Sequence, residues 1–131
     1  METFEIKTAG RSEFVEITDR VQAAVEKAGV RSGCAVVYVP HTTAGLTINE
    51  HADPDVISDI QTALDRLVPW DGSYRHSEGN AAAHIKSAML GHSVTIPVEN
   101  GRLVLGTWQG IFFAEFDGPR RRKVIVQVSG S

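Results

Sequence analysis

The chain has 131 residues and a net charge of −3, with 42% hydrophobic and 22% charged residues. That length suits one domain over residues 1–131 with a core of its own, and the balance excludes a disordered chain and gives no electrostatic reason to expect nucleic acid as a partner. Cys34 is the only cysteine, so no internal disulfide forms; no apolar run reaches the length of a membrane span, and METFEIKTAG lacks the basic start and apolar block of a signal peptide, so a cytoplasmic protein with no membrane partner is expected.

Residues 3–9 and 12–17 alternate apolar and polar side chains around Gly10, which predicts two strands. Thr18 is placed to cap a helix over 19–28, whose Val21, Ala24, Val25 and Ala28 keep helical spacing until Gly29 closes it. CAVVYV, Cys34–Val39, is short, unbroken and β-branched, the pattern of a central strand covered on both faces. Pro40 ends it. His41, Thr42 and Thr43 then sit at a strand end, before Gly45 and a short strand Leu46–Asn49. Asp53-Pro54-Asp55 combines a cap, a proline suited to the first helical position and an acid at the positive end of the dipole. Val56, Ile57, Ile60, Ala63, Leu64 and Leu67 make an apolar stripe from there to Pro69. A third helix over about 80–90 stops at Gly91, with Ala81, Ile85, Ala88 and Met89 as its expected buried face. Val94, Ile96 and Val98 alternate, Asn100-Gly101 signals a hairpin, and Leu103–Leu105 returns. Ile111–Phe116 and Lys123–Val128 read as a second strand pair around Asp117-Gly118-Pro119. The order ββαββααββββ implies an α+β fold, an antiparallel sheet or sandwich with about three helices.

Three stretches concentrate reactive side chains and are expected to converge on one pocket: His41–Asp53 (HTTAGLTINEHAD), His76–His84 (HSEGNAAAH) and Gly106–Gln109 (GTWQ). Asn80, His84 and Ser87 share a helix face, and His76 and Glu78 precede the helix start, where free N–H groups favour an anion such as phosphate. The plainer account makes Asn80 or Ser77 a helix cap and His84 a hydrogen-bonded surface residue. His41, His76 and His84 together suit an open site for a divalent ion such as zinc, with a free position for water or a phosphate oxygen. Without metal, the same imidazoles suit acid–base work near neutral pH. Asp53 is a cap that also suits the support of a histidine. His51 and His92 are placed outside the site. Trp108 reads as a core or subunit-contact residue, and Gln109 as the better site candidate. In Arg120–Lys123 alternate side chains point to opposite faces, so a solvated edge is the commoner explanation, with Arg120 or Arg122 in reach of a diphosphate.

HTTAGLTINE, ADPDV, H-x-EGNAAAHIKSAMLG and VTIPVENGRLVLGTWQGIFFAEFDGPRRRKV, in that order, resemble the YjbQ-like family, also known as secondary thiamine-phosphate synthases. The resemblance runs from about residue 34 to the C-terminus. It implies a homotrimeric α+β fold whose motif residues fall here on His41, Thr42, Asn49, Glu50, Asp53, His76, Glu78, Asn80, His84, Gly106, Trp108 and Gln109. His92 stands where such proteins often carry Pro or Ser. The implied activity joins a pyrimidine diphosphate to a thiazole phosphate, which requires neutralisation of a leaving diphosphate by zinc, magnesium or cationic side chains. On that expectation His41, His84, Asp53, Glu50 and Asn80 are the catalytic set. Thr42, Asn49, Glu78, Trp108, Gln109 and Arg120 bind a phosphorylated small-molecule substrate, and His41, His76 and His84 hold the metal. Two alternatives stay open: a metal-dependent hydrolase or lyase, and a non-catalytic metabolite-binding trimer.

Overall fold

The computed structural model describes residues 1–131. In chain order its elements are β1 (Glu2–Lys7), β2 (Glu13–Glu16), α1 (Thr18–Ala28), β3 (Ser32–Tyr38), β4 (Ala44–Glu50), α2 (Pro54–Leu67), α3 (Ala81–Leu90), β5 (Ser93–Glu99), β6 (Arg102–Leu103), β7 (Gln109–Glu115) and β8 (Arg121–Gly130). The strands make two antiparallel sheets, β1-β8-β3-β5-β6 and β2-β7-β4. The α+β architecture is the expected one.

The core lies between the sheets. Ile6, Val37, Ile96, Val124 and Val126 from the larger sheet meet Ala44, Leu46, Ile111 and Phe113 from the smaller, with Val21 and Ala24 of α1 at one side. Burial of a side chain the size of Phe113 stabilises by roughly 1.5–3 kcal/mol. β7 is buried on both faces: Ile111 and Phe113 enter the main core, while Ala114, with Phe116 just beyond the strand, packs beneath Leu64 of α2 and Ala83 of α3.

Local chemistry explains most element ends. Asp53 accepts the Asp55 N–H at 2.9 Å, with Pro54 at the first helical position. Gly29 closes α1 in the left-handed conformation (φ 69°). Asn100 (φ 54°) and Gly101 (φ 75°) turn the β5–β6 hairpin, where two consecutive positive φ values favour this Asn-Gly pair.

Several expectations change. β7 and β8 do not pair with each other; the Asp117–Arg120 turn carries the chain from one sheet to the other. β3 is central, between β8 and β5, but only Ala35 and Val37 are buried, so one face is covered rather than two. Thr18 does not cap α1: Ile17 holds the cap position, Thr18 is the first helical residue, and its hydroxyl accepts the Ile111 N–H at 2.9 Å instead. α3 buries Ala81, Ala82, Ala83, Lys86 and Ser87, and leaves Ile85 and Met89 on the surface. The two polar residues go inward because each has a partner: Lys86 Nζ binds Asp65 of α2, and Ser87 Oγ donates to the Ala44 carbonyl at 2.7 Å. On α2, only Leu64 of the apolar stripe is buried, and Leu67 is 70% exposed. No helix is long and apolar enough to cross a membrane.

Candidate functional site

Strand register decides which motifs meet. β4 lies antiparallel to β7 with Ala44 opposite Glu115 and Glu50 opposite Gln109. At ~3.3 Å per residue the two ends of this ladder are about 20 Å apart. One end carries His41–Thr43 and the turn into β8. The other carries Asn49, Glu50, Asp53, Trp108 and Gln109. The expected single pocket is therefore two sites. His41, Thr42, Glu78, Asn80, His84 and Arg120 line one cavity, and Gln109 lines a separate cleft. Asn49, Glu50, Asp53 and Trp108 line neither: the Asn49 side chain accepts the Glu50 N–H, Glu50 accepts the Asp53 N–H, Asp53 caps α2, and Trp108 is 63% exposed. They cannot serve the His84 cavity within one chain.

The cavity, ≈ 680 Å³, opens between the end of β3, the start of α3 and the β7–β8 turn. Beneath it Glu115, fully buried, receives Arg122 Nε at 2.8 Å and Arg122 Nη2, and also Thr8 Oγ1 at 2.8 Å and the Asp117 N–H at 3.0 Å. Burial alone would raise the Glu115 pKa, but these bonds, the Arg122 guanidinium first, hold it below the ordinary value. Arg122 Nη2 also donates to the Thr43 hydroxyl at 2.9 Å. Its Nη1 has no protein partner, and Arg122 is among the residues that line the cavity. The basic run is thus not a solvated edge. β8 lies between β1 and β3, and alternation sends Arg122 inward while Arg121 and Lys123 face out.

The histidine tautomers follow from their partners. His41 Nε2 accepts the Lys123 N–H at 2.8 Å, so its ring proton sits on Nδ1. Burial, then the Arg122 charge, lowers its pKa and keeps it neutral. Ser87 Oγ commits its one proton to the Ala44 carbonyl, so it accepts from His92 Nε2 at 2.9 Å, and the neutral His92 ring keeps a lone pair on Nδ1. His92, placed outside the site from sequence, lines the cavity. The signal for it was strand pairing: β3 pairs with β5 and the Val39 N–H bonds the His92 carbonyl at 2.8 Å, which sets His92 beside the end of β3.

Asn80 precedes α3 without a side-chain cap bond. Its Nδ2 donates to Asp117 Oδ2 at 2.9 Å, and Arg120 Nη2 reaches the same oxygen at 3.1 Å. Asn80 Oδ1 is the one buried side-chain oxygen or nitrogen with no partner. An orphaned acceptor of this kind calls for a donor from a ligand or water.

The expected trio His41, His76 and His84 is not gathered as metal ligands within one chain, since no three His, Cys, Asp or Glu side chains are placed to hold an ion. His41 has committed Nε2 to Lys123. His76 lies outside the cavity lining and packs edge-on against His84, with ring centroids 5.2 Å apart.

Comparison with known proteins places these residues in a wider group. The model of the family described as "UPF0047 protein YjbQ-like" matches residues 2–131. UPF0047 protein YugU of Bacillus subtilis is 52% identical over 131 residues, covering 99% of each chain. A UPF0047 protein of Methanocaldococcus jannaschii is 54% identical, covering 97% of this chain and 92% of its own. Among solved structures, an uncharacterized conserved protein of the same family from Clostridium acetobutylicum superposes with a TM-score of 0.97 at 53% identity, covering 98% of this chain and 100% of that one. A YbjQ-like protein of unknown function from Sulfolobus solfataricus gives 0.96 at 38% identity, covering 99% and 96%. These relatives are named as uncharacterized or by family alone, and none bears a thiamine-phosphate synthase name. The expected thiamine-phosphate synthase activity is overturned on that finding.

Proposed function

Since the chain belongs to the UPF0047 YjbQ-like family, whose members leave the chemistry open, we propose from the site itself that the His84 cavity binds a small phosphorylated molecule and transfers a proton to or from it. The observation that carries this reading is Arg122, a buried guanidinium that lines the cavity, locked by Glu115 and Thr43 and left with one nitrogen without a protein partner. A fixed cationic donor favours an anionic ligand, because its geometry is set before binding. Arg120 and His41 Nδ1–H add donors, and Asn80 Oδ1 supplies an acceptor for a ligand hydroxyl or amine. His92 Nδ1, the lone-pair nitrogen of the tautomer that donates from Nε2 to Ser87, suits a general base. The volume falls within the range of small-molecule sites, roughly 300–1,000 Å³.

Binding of phosphate-ester metabolites, followed by calorimetry, tests the reading. Wild-type protein should bind at least one, Arg120→Gln and His84→Ala should weaken it by about tenfold, roughly 1.4 kcal/mol, and a uniformly silent panel would overturn it. Assembly into a trimer belongs to the same proposal. Leu67, Ile85, Met89 and Trp108 are large apolar side chains left exposed in the single chain, which association would cover. Light scattering in solution reads the subunit number.

A further inference from the structure

The cleft at the opposite end of the β4–β7 ladder carries a second arranged histidine. His51 Nδ1 lies 2.8 Å from Glu16 Oε2. A carboxylate only accepts, so Nδ1 carries the proton and Nε2 is the free ring nitrogen. Glu16 is itself held: the Thr18 hydroxyl donates to Oε2 at 2.8 Å while accepting the Ile111 N–H at 2.9 Å. The His51 N–H bonds the Trp108 carbonyl at 2.9 Å, which fixes the chain at the ring's base. Gly110 is the residue that lets the pair close, because a Cβ there would stand 2.7 Å from both Glu16 Oε2 and His51 Cβ. Four elements thus converge on one imidazole, an arrangement beyond what a surface ion pair needs.

Beside the pair is a cleft of ≈ 230 Å³, room for a ligand of roughly eight waters' volume at ~30 Å³ each. Its walls hold uncommitted groups of both signs. Arg102 and Asp19 line it, and neither makes an ion pair or a side-chain hydrogen bond with the protein. Gln109 Oε1 accepts the Gly106 N–H at 2.8 Å, which leaves its NH₂ as a donor. Gln22, by contrast, is used up by Leu103 and Gly101.

We propose that this cleft is a second binding site, for a small zwitterion carrying an amino and a carboxylate group. The carboxylate is taken by Arg102, the Gln109 amide and His51 Nε2–H; the ammonium faces Asp19. The hydrogen bond that His51 Nδ1–H donates to Glu16 raises the His51 pKa and so favours the doubly protonated ring, which also donates from Nε2. The site is separate from the His84 cavity, and its test does not depend on what that cavity binds.

The test is NMR observation of the His51 ring Cε1–H in the full-length protein during titration with glycine, β-alanine and 4-aminobutyrate, which differ in the distance between the two charges. Propionate and propylamine, each lacking one group, are run at the same concentrations. The expected result is a saturable shift at millimolar concentration with at least one zwitterion, a several-fold weaker response to both half-ligands, and loss of the response in Arg102→Gln. Glu16→Gln, which keeps the side chain's size, should weaken binding in the same assay. No saturable shift with any zwitterion overturns the proposal. So does an equal response to propionate, which would make the cleft a simple anion site.

Discussion

Arg122 grips Glu115, and the same arginine lines the His84 cavity with one guanidinium nitrogen left without a protein partner. The ion pair therefore serves stability and binding at once. Removal of one member leaves the other charged and buried, whereas removal of both leaves only lost packing. Arg122→Met should destabilise the fold by about 3–5 kcal/mol. Arg122→Met combined with Glu115→Leu should cost clearly less than the sum of the two single changes. Urea unfolding of the three variants measures the coupling.

Acid should weaken the fold in two windows. The folded pKa of His41 is depressed below 6.5 by burial and by Arg122. Above that value the ring is neutral in both states and contributes nothing. As pH falls below it the unfolded chain takes a proton that the folded one refuses, so stability declines until the folded value is reached. Glu115 acts lower. Its folded pKa lies below 4.5, so its contribution is fully present above that value and is lost as pH falls through the depressed one. His41→Gln should flatten the first decline and leave the second. Unfolding free energies from about pH 7.5 down to about pH 3 resolve the two windows.

Much of the fold was legible because its signals are local. Period-two alternation pointed to β1, β2 and β5, an unbroken β-branched run to β3, Asp53-Pro54 to the start of α2, and Asn100-Gly101 to a turn. α3 was misjudged because its inward face includes Lys86 and Ser87, whose burial depends on Asp65 and on the Ala44 carbonyl, both far away in sequence. The candidate site was half legible for the same kind of reason. HTT and EGN…H do share a cavity. GTWQ was assigned there as well, and only the pairing of Glu50 with Gln109 shows that it belongs to the other end. A register is a relation between two segments, and neither segment alone contains it.

Gly45 of β4 lies against the end of α3. A Cβ at this position would lie 2.6 Å from the Gly91 carbonyl oxygen and 3.4 Å from Leu90 Cβ. The Leu46 N–H bonds that same carbonyl at 3.1 Å, so the backbone there has little freedom to retreat. Gly45→Ala should cost about 1–3 kcal/mol as an overpacking change, read as a lowered Tm. Because Gly91 precedes His92, the same variant should also weaken ligand binding in the His84 cavity, whereas a surface change that likewise adds one heavy atom, Ala63→Ser on exposed α2, should leave binding intact.

The Ser87–His92 bond makes the sharpest statement about protonation. If Ser87 gives its proton to the Ala44 carbonyl, the His92 ring must donate from Nε2, and nitrogen-15 shifts of the imidazole at neutral pH should show that tautomer. Ser87→Ala removes the acceptor and takes from the buried Ala44 carbonyl the hydroxyl that donates to it. The expected cost is about 1–3 kcal/mol, together with a mixed tautomer population for His92. Ser87→Thr keeps the hydroxyl and should preserve the tautomer even where its extra methyl lowers stability. Should Ser87→Ala leave the His92 spectrum unchanged, the serine would not be what fixes the ring, and His92 Nδ1 would lose its claim to act as the base of the cavity.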